Sequence, residues 1–273
     1  MTTLPPLREV IARHELAARR SLGQHFLLDL NLTDRIARAA GDLSTGTTIE
    51  VGPGPGGLTR SLLRQGAQRM VCIERDPRAV AAVRELAVAY PDRLDVIEAD
   101  ALAVDIAALG PPPRRIVANL PYNISTALLI RWLHAAPALE SMTLMFQKEV
   151  VDRLVAQPRT KDYGRLSVLT QVVCGASRLF DIAPTAFVPP PKVVSTVARL
   201  VPLAAAGQAV DLRALELVTA AAFGQRRKML RTSLRAAFAQ PEVALAACGI
   251  AETARAEDLT PAQFVALARS KQL

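Results

Sequence analysis

The chain reads as an α/β protein: a doubly wound sheet followed by a small all-helical domain. Three observations carry that reading. From residue 47 to about 147, short apolar runs alternate with amphipathic ones, the pattern of a parallel sheet covered on both faces. A glycine-rich stretch over residues 52–57 sits where the first of these strands hands over to a helix. Beyond residue 210 only helical periodicity remains.

The first predicted strand is Thr47 to Gly52, and the helix after it carries Leu58, Leu62 and Leu63 on one side. A second strand covers Met70 to Glu74. Asp76 then caps a helix with Pro77 at its first position and Val80, Val83 and Ala87 at helical spacing. Further strands are predicted at Leu94 to Glu98, Arg115 to Asn119 and Met142 to Phe146, with turn chemistry at Gly110-Pro111-Pro112-Pro113. Phe187-Val188-Pro189-Pro190-Pro191 is stiff and poor in backbone donors, and Val193 to Leu200 reads as one more strand. The segment from Pro202 to Val210 is a linker candidate. After it come helices marked by Leu212, Leu215 and Val218, and a last one opened by Thr260-Pro261 with Phe264, Leu267 and Ala268 on one face. The domains expected from this pattern are residues 1–205 and 206–273.

With 273 residues, 51% of them apolar and 21% charged, the chain can bury a large core and is not disordered. The 33 Lys and Arg exceed the 25 Asp and Glu by eight, which favours polyanionic partners through the summed field and counterion release. No apolar run approaches the roughly 18 residues of a membrane span. The first twenty residues interleave Arg8, Glu9, Arg13, Glu15, Arg19 and Arg20 where a signal peptide would be apolar, so a cytoplasmic protein is expected, with no membrane partner. Cys72, Cys174 and Cys248 form no CxxC pair and are read as reduced core residues; His14, His25 and His134 lack metal-ligand spacing, and no metal is expected.

Gly52, Gly54 and Gly57 satisfy G-x-G-x-x-G, and Glu74 falls about twenty residues later, where an acid would bind a ribose diol. Glycine lets a nucleoside cofactor approach the backbone, where a Cβ would collide with it. The spacing fits NAD, whose pyrophosphate needs a free helix N-terminus, and S-adenosylmethionine, which has no phosphate. It also fits a turn whose glycines serve tight packing.

Asn119-Leu120-Pro121-Tyr122 directly follows a strand at the same cleft. The exocyclic amine of adenine is a poor nucleophile because its lone pair is conjugated with the ring. Two acceptors on its hydrogens, Asn119 Oδ1 and the Leu120 carbonyl, would pull the nitrogen toward tetrahedral geometry. Pro121 would fix the turn, and Tyr122 would offer a stacking face worth about 1–3 kcal/mol. With an activated sulfonium donor the remaining work is alignment, which can supply roughly 7–11 kcal/mol of the barrier. Asp100 is placed to accept from the amino group of the cofactor's adenine, or else to cap the next helix. Ser21 to Asp29 could fold over the cofactor as a lid.

SLGQHFLLD, EVGPGPGGLT, IERD, EADAL, ANLPYNIST, FQKEV, YGRLSVLTQ and FVPPPKVVS occur in the order found in the bacterial small-subunit ribosomal RNA adenine dimethyltransferases, which the chain resembles from about residue 20 to 200 and more weakly into the tail. The resemblance implies a Rossmann-like class I methyltransferase fold and S-adenosylmethionine as cofactor. It further implies N6 dimethylation of two adjacent adenosines in the 3′-terminal hairpin loop of 16S (small-subunit) rRNA, in the 30S subunit or its precursor, late in assembly. The family's cofactor contacts fall on His25, Leu27, Gly52, Glu74, Asp100 and Asn119, and Gly54 and Ala101 complete the expected set. His25 departs from the asparagine of many members; a neutral imidazole still donates or accepts, with a pH dependence the asparagine form lacks.

By the same resemblance Asn119 to Tyr122 form the methyl-acceptor loop and Phe187 the second aromatic wall; otherwise Phe187 is a core residue before a proline turn. The target adenine must leave its stack, which costs least in an RNA loop. Gln225 to Arg235 carries five positive side chains and no acid, so Arg226, Arg227, Lys228 and Arg231 are expected to meet phosphate, the alternative being a solvated helix face. A free monomer is expected. The rivals are a large-subunit rRNA dimethylase of the antibiotic-resistance type, an NAD-linked oxidoreductase, and a catalytically idle assembly factor.

Overall fold

The structure is a computed structural model that describes residues 4–16, 25–204 and 211–271. Ser21 to Gln24 of the expected lid and residues 205–210 of the expected linker lie outside them. The chain divides into two compact units, residues 1–148 with 177–201, and residues 149–176 with 202–273.

The first unit opens with α1 (Leu7–Arg13), β1 (Phe26–Leu27) and α2 (Leu30–Ala39). Then come β2 (Thr47–Val51), α3 (Gly57–Arg64), β3 (Met70–Glu74), α4 (Pro77–Ala89), β4 (Leu94–Glu98), β5 (Arg114–Asn119), α5 (Ser125–His134) and β6 (Ser141–Gln147). Its later strands are β7 (Cys174–Ile182), which starts just before the unit boundary, β8 (Phe187–Val188) and β9 (Ser195–Pro202). The seven-stranded sheet runs β4-β3-β2-β5-β6-β9-β7. Its neighbours from β4 to β6 are parallel, and β9 lies antiparallel to β6 with Met142 opposite Leu200. The expected doubly wound sheet is therefore present.

Local chemistry accounts for the helix starts. Asp76 accepts from the Arg78 amide at 3.1 Å with Pro77 at the first helical position, and Asp29 accepts from the Asn31 amide at 2.8 Å. Trp132 on α5 and Phe146 on β6 are fully buried, and enclosing each large apolar side chain contributes about 1.5–3 kcal/mol.

Among the elements not legible in the sequence are β7 and α1. The nine residues of β7 show little apolar alternation, because an edge strand leaves most of its side chains exposed. The helix α1 is short and highly charged. Between β4 and β5 lies a 3₁₀ turn at Ile106–Ala108, just before the turn residues Gly110-Pro111-Pro112-Pro113.

The second unit holds α6 (Lys148–Val155), which begins at the boundary, α7 (Arg165–Val173), α8 (Leu212–Gly224), α9 (Leu230–Ser233), α10 (Pro241–Ala247) and α11 (Pro261–Ser270). The sequence boundary at 205/206 differs from this division: α7 packs against α8 and α11, so residues 149–176 group with the tail helices although they precede β7 in the chain. Tyr163, Phe223 and Phe264 form its aromatic centre, with ring centroids 5.9 and 5.5 Å apart, and the Tyr163 hydroxyl donates to the Leu259 carbonyl at 2.8 Å. Thr260 caps α11 as its sequence predicts. Among the described residues no helix is long and apolar enough to cross a membrane.

Candidate active site

In the sheet order the chain steps outward from β2 to β3 and β4 on one side, and to β5 and β6 on the other. Ligands of open α/β sheets bind where the direction of winding reverses, at the carboxyl ends of the strands. Here that point lies between β2 and β5, the strands that lead into the glycine loop and into Asn119-Leu120-Pro121-Tyr122. One cleft there is lined by His25, Leu27, Gly52, Gly54, Glu74, Asp100, Ala101 and Asn119 through Tyr122. The fold thus brings together segments from five places in the sequence.

On the β2 side, Gly54 has φ of +54°, and a Cβ there would stand 3.0 Å from the Phe26 ring. Glycine is required at this position by the left-handed backbone and by the aromatic packed on it. The Gly54 amide donates to Glu74 Oε2 at 3.2 Å. Glu74 Oε1 accepts from the amides of Arg75 and Asp76 at 2.7 and 2.9 Å. Three backbone donors therefore orient this carboxylate, and Oε2 retains lone-pair capacity toward the cleft. Burial nevertheless holds the Glu74 pKa above its ordinary value, against those three donors.

Asp100 caps a turn rather than a helix: Oδ1 accepts from the Leu102 amide at 2.9 Å, while Oδ2 pairs with Arg75 at 3.3 Å at the cleft lining. Asn119 is the last residue of β5, and its Nδ2 donates to the His25 carbonyl at 3.2 Å. With the donor end committed, Oδ1 is the amide's remaining acceptor. The Tyr122 and Ser195 hydroxyls share a hydrogen bond of 2.6 Å, which tethers the tip of the ring, and burial raises the tyrosine pKa.

Phe187 is not in the cleft. It is 2% exposed, sits in the core cluster with Ile36, Leu58 and Val197, and pairs with Leu27 across β1 and β8. Core packing takes this ring, and the expectation of a second aromatic wall is corrected. The cysteine expectation also needs adjusting: Cys72 and Cys174 are buried, whereas Cys248 is half-buried, and all three are free.

In the second unit, Arg226 is taken up internally: Nε meets Glu257 Oε2 at 3.0 Å, and the guanidinium donates to the Thr160 carbonyl at 3.1 Å. Arg227, Lys228 and Arg231 are exposed, the first two in the turn after α8 and the third on α9.

Sequence reasoning assigned no role to Glu50, which is 1% exposed in β2 and lines the cleft. Burial pushes its pKa up from 4.5 to about 7, opposed by neighbouring Thr59 and by Cys72, whose thiol lies 3.6 Å from Oε2. An acid inside the otherwise buried strand Thr47–Val51 was the signal. Arg75, at the cleft beside Asp100, was missed as well because its neighbours carried the motif.

A parallel core with its late antiparallel strand between β6 and β7, and a cleft at the switch point, are the architecture of a class I methyltransferase. Residues 15–273 match the family of ribosomal RNA adenine dimethylases. Curated relatives from Rhodospirillum rubrum and Paramagnetospirillum magneticum, each named ribosomal RNA small subunit methyltransferase A, are both 61% identical, over 98% and 99% of this chain and 92% and 96% of theirs. Among solved structures, a dimethyladenosine transferase from Plasmodium falciparum superposes with TM-score 0.79 at 23% identity, covering 91% of this chain and 99% of that one. The 23S rRNA methyltransferase ErmE gives 0.64 at 29% identity, covering 91% of this chain and all of that one. The chain belongs to the ribosomal RNA adenine dimethylase family.

Proposed function

We propose that this protein dimethylates N6 of two adjacent adenosines in the 3′-terminal hairpin loop of 16S rRNA, in the small subunit or its late precursor, using S-adenosylmethionine. The observation that carries the reading is the Asn119 amide at the end of β5, its nitrogen bonded to the His25 carbonyl and its oxygen left to accept. Asn119 Oδ1 and the Leu120 carbonyl accept from the two hydrogens of an extruded adenine's amino group, which frees the nitrogen lone pair. Tyr122, its tip held by Ser195, carries the base on its face.

The cleft residues fit the cofactor. Glu74, oriented by three amides, takes a ribose diol through Oε2; Asp100 takes an adenine amino group; and Gly52 and Gly54 leave the loop open to the remainder. Bound there, S-adenosylmethionine supplies a methyl group on an activated sulfonium carbon. The protein's own contribution is alignment and exclusion of water from a largely buried floor.

NAD finds less support, because the matching family and the 61% identical relatives are ribosomal RNA methyltransferases. The small-subunit substrate is favoured over the large-subunit one by the 61% identical relatives, against 29% for ErmE. Exposed Arg227, Lys228 and Arg231 supply phosphate contacts. Primer extension across rRNA from cells with and without the protein tests this reading: dimethylated adenines stop the polymerase. Stops at two adjacent adenosines near the 3′ end of 16S rRNA are expected only when the protein is present, and stops in 23S rRNA instead would overturn the substrate assignment.

A further inference from the structure

His25 stands immediately before β1, whose Phe26 pairs with Val188. The next position along that antiparallel pair is Pro189, which has no amide hydrogen to return to the ladder. The side chain of His25 meets the same residue, with Nδ1 2.8 Å from the Pro189 carbonyl oxygen. A carbonyl only accepts, so Nδ1 carries the proton and donates.

The same residue reaches two members of the acceptor loop. Its main-chain carbonyl takes the Asn119 Nδ2 bond at 3.2 Å, which decides which end of that amide is left to accept. Its ring lies against Tyr122, with centroids 5.4 Å apart and planes tilted by 31°. Tyr122 is therefore held at its tip by the Ser195 hydroxyl at 2.6 Å and beside its ring by the imidazole. One half-buried residue thus links the proline segment after β8, the amide expected to accept from the substrate, and the ring expected to stack on it.

We propose that His25 is a positioning residue for methyl transfer, tying Asn119 and Tyr122 to Pro189 so that amide and ring hold one orientation. This goes beyond the cofactor contact that the sequence implied for it, and it rests on the reading of Asn119 to Tyr122 as the acceptor loop. The contacts divide between chemical groups. Asparagine at this position keeps a donor for the Pro189 carbonyl but offers no ring to Tyr122. Phenylalanine keeps a ring but no donor. Alanine keeps neither, while the backbone carbonyl that meets Asn119 persists in every variant.

The test uses the full chain with S-adenosylmethionine and unmethylated small ribosomal subunits. Single-turnover methylation is followed at saturating cofactor and RNA, and S-adenosylmethionine affinity is measured by calorimetry on the same preparations. His25→Ala should slow the step at saturating cofactor by about tenfold to a hundredfold, the scale of a small misplacement of aligned groups, a loss that no change in S-adenosylmethionine affinity accounts for. His25→Asn and His25→Phe should fall between the parent and alanine, each restoring one contact; they carry the test by themselves if the alanine variant does not fold. Parent-like rates in all variants would overturn the proposal. So would a loss confined to cofactor affinity with the saturated rate unchanged, which would leave His25 a cofactor contact alone. A parent protein that makes no dimethyladenine would overturn the acceptor-loop reading itself, an outcome separate from any effect of His25.

Discussion

Replacing Glu50 by Gln should reshape the pH dependence of stability in a direction opposite to ordinary acid denaturation. The carboxyl is fully enclosed in β2 beside Cys72 and near Glu74, and burial lifts its pKa from 4.5 to about 7. The folded state holds this proton more tightly than the unfolded chain does. The group's contribution is thus fully present below pH 4.5 and is lost as pH rises through 7, above which folding carries an ionised buried carboxylate. A difference of about 2.5 units, at 1.36 kcal/mol each, amounts to about 3 kcal/mol. Gln is neutral throughout. Relative to the parent, Glu50→Gln should gain nothing between pH 3.5 and 4.5, gain progressively from 4.5 to 7, and reach a plateau of about 3 kcal/mol by pH 8, equivalent to about 6–12 °C in Tm. A new amide next to the Cys72 thiol adds a constant offset, so the slope of the difference is the observable. The chain has a single tryptophan, Trp132, fully buried on α5 in the same unit, and its fluorescence reports that unit's unfolding. Parallel stability curves for parent and variant across this range would refute the reasoning, because they would mean that Glu50 ionises alike in both states.

Gly54→Ala should weaken S-adenosylmethionine binding about tenfold by calorimetry, since a φ of +54° costs a non-glycine residue about 1–2 kcal/mol and the new Cβ presses on Phe26 at 3.0 Å; unchanged affinity would show the loop free to relax. Replacing Arg227, Lys228 and Arg231 together by Ala should reduce the slope of log affinity for small-subunit RNA against log salt by about 2 to 3, one counterion contribution per lost phosphate contact. Arg226→Ala should leave that slope unchanged while lowering thermal stability by about 1 kcal/mol or less, because its charge is already half-exposed and paired with Glu257. An equal drop in slope for Arg226→Ala would contradict the division between them.

Legibility followed burial and local chemistry. The strands β3 and β4 emerged with correct ends, and the starts of α4 and α11 emerged from Asp76-Pro77 and Thr260-Pro261, because caps and apolar strands act within a few residues. Gly52, Gly54, Glu74, Asp100 and Asn119 to Tyr122 were singled out because they stand at or just beyond strand ends, which the sheet topology brings to one cleft. The strand β7 escaped because an edge strand need not alternate, and the α7 partnership with α8 and α11 escaped because packing across a long sequence separation leaves no local trace. Phe187 was misread for a related reason: an aromatic before a proline run looks the same whether it faces a ligand or Leu27. Arg226 shows the equivalent limit for charge, a basic run disclosing nothing of the one member that Glu257 and Thr160 claim.

The most direct measurement is mass spectrometry of nuclease-digested 16S rRNA after unmethylated small subunits have been incubated with the pure protein and S-adenosylmethionine. The parent should yield N6,N6-dimethyladenosine at two adjacent positions of the 3′-terminal hairpin, and Asn119→Ala, folded to the same Tm, should lose at least about a hundredfold in rate. Dimethyladenosine formed by Asn119→Ala at the parent's rate, or methyl groups appearing on another base, would contradict an acceptor amide at the end of β5.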